Sequence, residues 1–176
     1  DVERSRGLGD VYKRQVVFYA TDFSWDSILY CLMTSALIVL SVIDYRTYEI
    51  PFGINVFLFV LGVIRCVFGK GDRGTLMIGF FAVSLFLLLL SLLTRGAAIG
   101  GGDIKLMAAA GLLLGWKLII LAFVMGCIAG SVVHLFRMKV CGAGRMLALG
   151  PYLSVGIFIA ALWGNGMIDW YLGLFM

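Results

Sequence analysis

The chain is 176 residues long and 62% hydrophobic, with a formal net charge of +4 and a mean hydropathy of +1.04. Soluble domains are nearer half apolar, so the composition excludes an ordinary soluble domain and gives an all-α, polytopic membrane protein of about one domain, with room for about six transmembrane helices at roughly 20 residues each. The excess positive charge sits in short loops, where it sets membrane topology, and nucleic acid is not an implied partner.

Residues 1–15, DVERSRGLGDVYKRQ, are polar, lack an initiating Met and resemble translated sequencing-adapter sequence. They are expected to be a non-native or disordered tail, with 16–176 forming the membrane-embedded domain and 16–20 the stub of a helix. The first span is expected over 27–43, with Trp25 and Tyr30 as interfacial anchors. A polar turn from Asp44 to Pro51 follows, and Pro51 suits the opening of the next helix. The second span covers 52–68, with Arg65 near its end snorkelling to the headgroups. A charged turn at 69–74 leads to a third span over 75–93, then a glycine-rich loop at 94–102.

The fourth span, 103–115, is short for a full crossing. Trp116 and Lys117 mark an interface, and the fifth span runs over 118–136. A basic loop at 137–146 precedes the sixth span, 147–163, with Gly150 and Pro151 near its start. The remaining tail, 165–176, is aromatic-rich and suits the interface. Gly111 and Gly115, and Gly126 and Gly130, form GxxxG pairs and are read as no more than lipid-tolerant packing. Cys31, Cys66, Cys127 and Cys141 form no CxxC pair. They signal neither zinc nor a disulfide framework and are expected to be buried small hydrophobes.

Loops one, three and five carry Arg46, Arg95, Lys105, Arg137, Lys139 and Arg145, whereas loops two and four carry Lys70, Arg73 and Lys117. The positive-inside rule therefore places the odd loops in the cytoplasm. Two carboxylates, Asp44 and Asp103, fall on that side, each at the end of an apolar run.

An ionisable group at a membrane helix is expensive and is by default a candidate for function. Asp103 follows Gly100, Gly101 and Gly102, which permit a tight turn and close approach. The plainer alternative is an N-cap, with the Asp103 carboxylate accepting the first free amides of its helix. Two carboxylates sharing one site cannot easily both ionise. Such a pair offers a base and an acid together, able to take a proton from water and donate one toward a carbonyl or leaving amine. The remaining acids compete poorly: Asp72 is flanked by charges, Asp169 is in the tail, Glu49 is a loop acid, and Asp22 and Asp26 precede the first span. His134 stands alone, and no Ser/His/Asp set, phosphate loop or HExxH is present.

The segment from Asp44 to Ile50 and Pro51 resembles the D-x5-IP segment of the type IV prepilin peptidases. Gly100-Gly101-Gly102-Asp103, followed by Ile104 and Lys105, resembles the family's GxGD motif, and Gly150-Pro151-Tyr152-Leu153 its GPFL segment. The resemblance covers about residue 23 to the end. It implies an aspartic endopeptidase of the cytoplasmic (inner) membrane, with Asp44 and Asp103 as the catalytic pair. Gly101, Gly102, Lys105, Pro51, Gly150 and Pro151 would be motif or structural supports, with no metal and no cofactor. The implied partners are the lipid bilayer and a prepilin-like substrate with a basic leader and a hydrophobic helix. Many members also methylate the new amino terminus through an upstream region with paired CxxC motifs. No such pairs occur here, so cleavage without methylation is expected. Phe52 stands where the family usually places Asn or Asp, and Asn55 comes later. A preflagellin or other GxGD peptidase, or a small proton-coupled transporter with Asp44 and Asp103 as its relay, is the alternative.

Overall fold

The computed structural model describes residues 25–69, 72–96, 99–141 and 148–174; helices dominate these residues and no strand occurs among them. The helices are α1 (Trp25–Thr47), α2 (Phe52–Phe68), α3 (Arg73–Ala82), α4 (Ser84–Leu93), α5 (Gly101–Leu114), α6 (Trp116–Cys141) and α7 (Gly150–Gly173). Helices α3 and α4 are one apolar rod interrupted at Val83, and this rod, α1, α6 and α7 are each long and apolar enough to cross a membrane. The protein is thus an all-α, multi-pass membrane protein. The expected tail at 1–15, the stub at 16–20, Lys70 and Arg145 lie outside the described residues.

The helix ends follow from local chemistry. Tyr48 adopts a φ of 56°, outside the helical range, and α1 stops just before it. Pro51, at φ −59°, then opens α2, and its carbonyl accepts the amides of Ile54 and Asn55 at 3.2 and 3.5 Å. Asp72 caps α3. Its carboxylate accepts from the Gly74 and Thr75 amides at 3.2 and 3.3 Å and from the Thr75 hydroxyl at 2.7 Å. At the break, the Ser84 hydroxyl donates back to the Phe80 carbonyl, a side-chain bond that competes with the backbone ladder and bends helices.

Helix α5 organises the packing. It has 14 residues, about 21 Å at 1.5 Å per residue, against roughly 30 Å of hydrocarbon. It is therefore the short helix that the sequence predicts. Leu106, Met107 and every residue from Ala109 to Leu114 are buried, and α5 packs against α2, α3, α4 and α6, touching α7 as well. Gly115, at φ 85°, ends it with its amide on the Gly111 carbonyl at 2.8 Å. Two close crossings set the helix spacing. A Cβ on Gly111 would collide with the Gly79 carbonyl, and one on Gly156 with the Ala122 carbonyl. Side chains such as Leu85, Leu89 and Leu92 of α4, and Ile128, Val132 and Phe136 of α6, face outward, as a lipid-facing rim must.

Several expectations need correction. Helix α1 continues past Ile43 through Thr47, so Asp44 lies within its last turn rather than in a loop. The polar character of 44–47 does not stop the helix, because nothing in it breaks the backbone pattern before Tyr48. Helix α6 runs to Cys141, taking Arg137 and Lys139 into its last turns. Helix α7 runs to Gly173, so most of the expected interfacial tail is helix. The Gly111–Gly115 pair is a dedicated crossing with α3 rather than indifferent packing. Cys31, Cys66 and Cys127 are half-buried rather than buried. Arg65 does not snorkel freely. It is only 13% exposed, pairs with Asp26 of α1 at 3.2 Å and lies 5.0 Å from the Tyr30 ring centre. Its guanidinium also donates to the Leu113 carbonyl at the end of α5. A helix that ends among other helices leaves carbonyls that need donors, and Arg65 supplies one.

Candidate active site

Four helix ends meet at one end of the bundle: the last turn of α1 and the first turns of α2, α5 and α7. Asp44 comes from α1 and is 4% exposed. Its Oδ2 accepts the amide of Gly150, the first residue of α7, at 3.0 Å. That amide is one of the four unpaired donors at a helix start, and the positive end of the helix dipole favours a negative group there. A side chain at position 150 would block the contact, since its Cβ would lie 2.6 Å from Asp44 Oδ2. Pro151 fills the first turn of α7, where its missing amide costs nothing.

Asp103 lies in the first turn of α5, with Gly100 rather than Asp103 at the N-cap position. The Asp103 amide donates to the Gly100 carbonyl at 3.1 Å, and a Cβ on Gly100 would lie 3.4 Å from Asp103 Oδ2, so the carboxylate lies beside the helix start. Asp103 Oδ1 is buried with no hydrogen-bond partner among the described residues, and a buried polar oxygen left this way calls for a water or a ligand. The Asp44 carboxyl is close enough for its charge to act on that of Asp103.

The glycines serve close approach. A Cβ on Gly102 would come within 2.9 Å of Ile50 Cβ, so the residue before Pro51 packs directly against the residue before Asp103. Gly101 is exposed, with nothing within 4 Å of a Cβ placed there. The Gly102 carbonyl accepts from Asn55 Nδ2 at 3.3 Å. Lys105 is exposed, with its ammonium 5.2 Å from the Phe52 ring centre. Arg137 of α6 reaches over the same end to stack on Tyr45 at 5.9 Å.

The sequence-predicted residues therefore lie at one end of the bundle, with Gly101 exposed and open space where its side chain would stand. The sequence shows Ile50 within the D-x5-IP segment and Asn55 after it, but sequence reasoning assigned neither a place among the site residues. Asn55 carried a signal of its own, a carboxamide inside an apolar run, where an unpaired polar group is costly. Asp72 and Asp169 stay away from the convergence, Asp72 as the α3 cap and Asp169 as an exposed residue late in α7. Chemically, one carboxyl is tied to a helix start and the other keeps an unpartnered buried oxygen that a water or a ligand can meet.

The chain also has recognisable relatives among known proteins. The profile of the Type IV leader peptidase family matches residues 31–135. A prepilin leader peptidase/N-methyltransferase of Legionella pneumophila is 33% identical over 147 residues, 80% of this chain and 51% of the relative. Proteins of the same name from Stutzerimonas stutzeri and Bacillus subtilis are each 31% identical, over 85% and 78% of this chain and 54% and 56% of theirs. The chain thus spans about half the length of the curated relatives it matches. No solved structure matches significantly.

Proposed function

Because the chain belongs to the type IV leader peptidase family, we propose that it is an aspartic endopeptidase that removes the basic leader from prepilin-like precursors at the cytoplasmic face of the inner membrane. Asp44 and Asp103 are its catalytic pair. The support for this is that two carboxyls from helices far apart in sequence lie at the same end of the bundle, near enough for the charge of one to act on the other, and that one of them has a buried, unpartnered oxygen. The family match does not favour the proton-coupled transporter reading.

In the proposed reaction a water lies between the two carboxyls. The ionised member takes its proton as the water oxygen attacks the scissile carbonyl, and the protonated member donates to the carbonyl oxygen. The proton taken from water then passes to the leaving nitrogen as the C–N bond breaks. The two groups titrate as one unit, so the exchangeable proton belongs to the pair. Gly150 holds the Asp44 end, and Asn55 and Ile50 hold the backbone before Asp103. The substrate is a hydrophobic helix with a basic leader. The proposal concerns peptide cleavage alone.

The test is leader cleavage by Asp44→Asn and Asp103→Asn in the membrane-inserted protein. Asparagine keeps the shape and the amide contacts but cannot exchange the proton. Each variant is expected to lose activity on the order of several powers of ten, and the double variant little more, because residues acting as a unit are not additive. Substantial cleavage by either single variant sinks the assignment.

A further inference from the structure

Asn55 sits in the second turn of α2 and is 5% exposed. Its Nδ2 donates to the Gly102 carbonyl at 3.3 Å, which fixes which end of the carboxamide is which, because a carbonyl can only accept. The other end, Oδ1, is buried and has no hydrogen-bond partner among the described residues. The side chain lines an apolar cavity of about 190 Å³ between α2, α3 and α5, walled by Phe52, Phe59, Phe80 and Ala108, with Lys105 alongside. The cavity adjoins the Gly102–Asp103 backbone through Asn55 itself.

A buried acceptor in apolar surroundings is costly unless a donor meets it. Lipid tails have no donor. A peptide about to be cleaved does: a helical segment has its amides engaged, but the stretch around a scissile bond must be unwound to expose its carbonyl. Each amide freed by unwinding then needs an acceptor inside a region poor in water. Resting on the leader-peptidase reading above, we propose that this cavity is a substrate subsite. Asn55 Oδ1 accepts a backbone N–H of the extended peptide beside the scissile bond, and an apolar substrate side chain lies in the cavity against Phe59 and Phe80, whose rings contact each other edge to face. The same carboxamide holds Gly102, so binding of the peptide and placement of Asp103 share one residue. No covalent step is assigned to Asn55; it is a binding and positioning residue.

The test uses a synthetic peptide with a basic leader and an apolar segment, in detergent micelles, and a series in which single amides other than the scissile one are replaced by esters. An ester keeps the chain geometry and removes one N–H. With the wild-type protein, one ester position near the cleavage site is expected to lower kcat/KM by about tenfold, and the others to have little effect. Asn55→Leu is expected to cleave the all-amide peptide less well and to show no further loss at that ester position. If Asn55→Leu does not accumulate, Asn55→Ser, whose hydroxyl is too short to reach, takes its place. A purely structural Asn55 would leave the ester penalty the same in wild type and variant, and that result overturns the proposal. Indifference of the wild type to every ester overturns it too. Failure of the wild type to cleave the all-amide peptide takes down the leader-peptidase reading, and this inference with it.

Discussion

At the scale of single residues, the site depends on positions where an atom must be missing. Gly150 is the sharpest case. An added Cβ would lie 2.6 Å from Asp44 Oδ2 and 3.2 Å from Leu40 Cδ2, so Gly150→Ala must displace either the carboxylate or the start of α7. A displacement of about 1 Å in a catalytic group costs on the order of 100-fold in rate. Gly150→Ala is therefore expected to lose about that much kcat in leader cleavage, with helix content unchanged by circular dichroism. Gly53→Ala, where a Cβ would meet nothing within 4 Å, is expected to keep full activity. Equal losses from both would remove the special role given to position 150.

Asp72 makes the opposite case, an acid with a structural task. The Thr75 hydroxyl, then the Gly74 and Thr75 amides, hold its carboxyl below the ordinary carboxylate range. A group with a depressed folded value stabilises above the unfolded value and loses that contribution as pH falls through the folded one. Asp72→Ala is thus expected to lower the thermal unfolding midpoint at neutral pH, and the difference from wild type to shrink in acid below the usual carboxylate range. Asp72→Asn caps nearly as well and should be silent in cleavage. A midpoint difference that grows on acidification would contradict the cap.

At the scale of elements, the decisive feature is how α5 is held. In a membrane, packing and hydrogen bonds rather than the hydrophobic effect join helices, so close backbone approach matters. The Gly79–Gly111 crossing allows α3 to lie against α5 with no side chain between. Gly111→Ala is expected to destabilise the protein by about 1–3 kcal/mol, the usual cost of overpacking. Gly130→Ala is expected to be nearly neutral, because its Cβ would come no nearer than 3.5 Å to any neighbour. Unfolding in detergent measures both, and equal effects would mean that the crossing is not specific.

The same comparison shows where sequence reading stops. The spacing of Gly111 and Gly115, and of Gly126 and Gly130, was visible and identical, but their partners, Gly79 of α3 for Gly111 and Leu153 and Gly156 of α7 for Gly126, belong to other helices. Arg65 was legible as a cation near a helix end. Its pairing with Asp26, 39 residues away, and with the α5 terminus was not, since neither partner is local. The helix order, the short α5 and the two aspartates could be read because each rests on hydropathy or on a contiguous motif. Asn55 could not be assigned, because its meaning lies in the Gly102 carbonyl, 47 residues on.

At the scale of the whole molecule, the site's end of the bundle also carries most of the positive charge of the described residues. Arg46, Arg95, Lys105, Arg137 and Lys139 lie at helix ends on that side, and Arg65, Arg73 and Lys117 on the other. Charge asymmetry of this kind orients membrane proteins with the richer side in the cytoplasm. The orientation matters for the proposed cleavage, which needs the carboxyl pair on the side of the membrane that holds the basic leader. Single cysteines in an otherwise cysteine-free protein decide it: Glu49→Cys beside the site, Arg73→Cys and Lys117→Cys at the far end, all exposed positions. A membrane-impermeant maleimide should label Glu49→Cys only in inside-out vesicles, and Arg73→Cys and Lys117→Cys only in right-side-out ones. The reversed pattern would put Asp44 and Asp103 across the membrane from the leader, and no arrangement of the pair, however close, would then let them cut it.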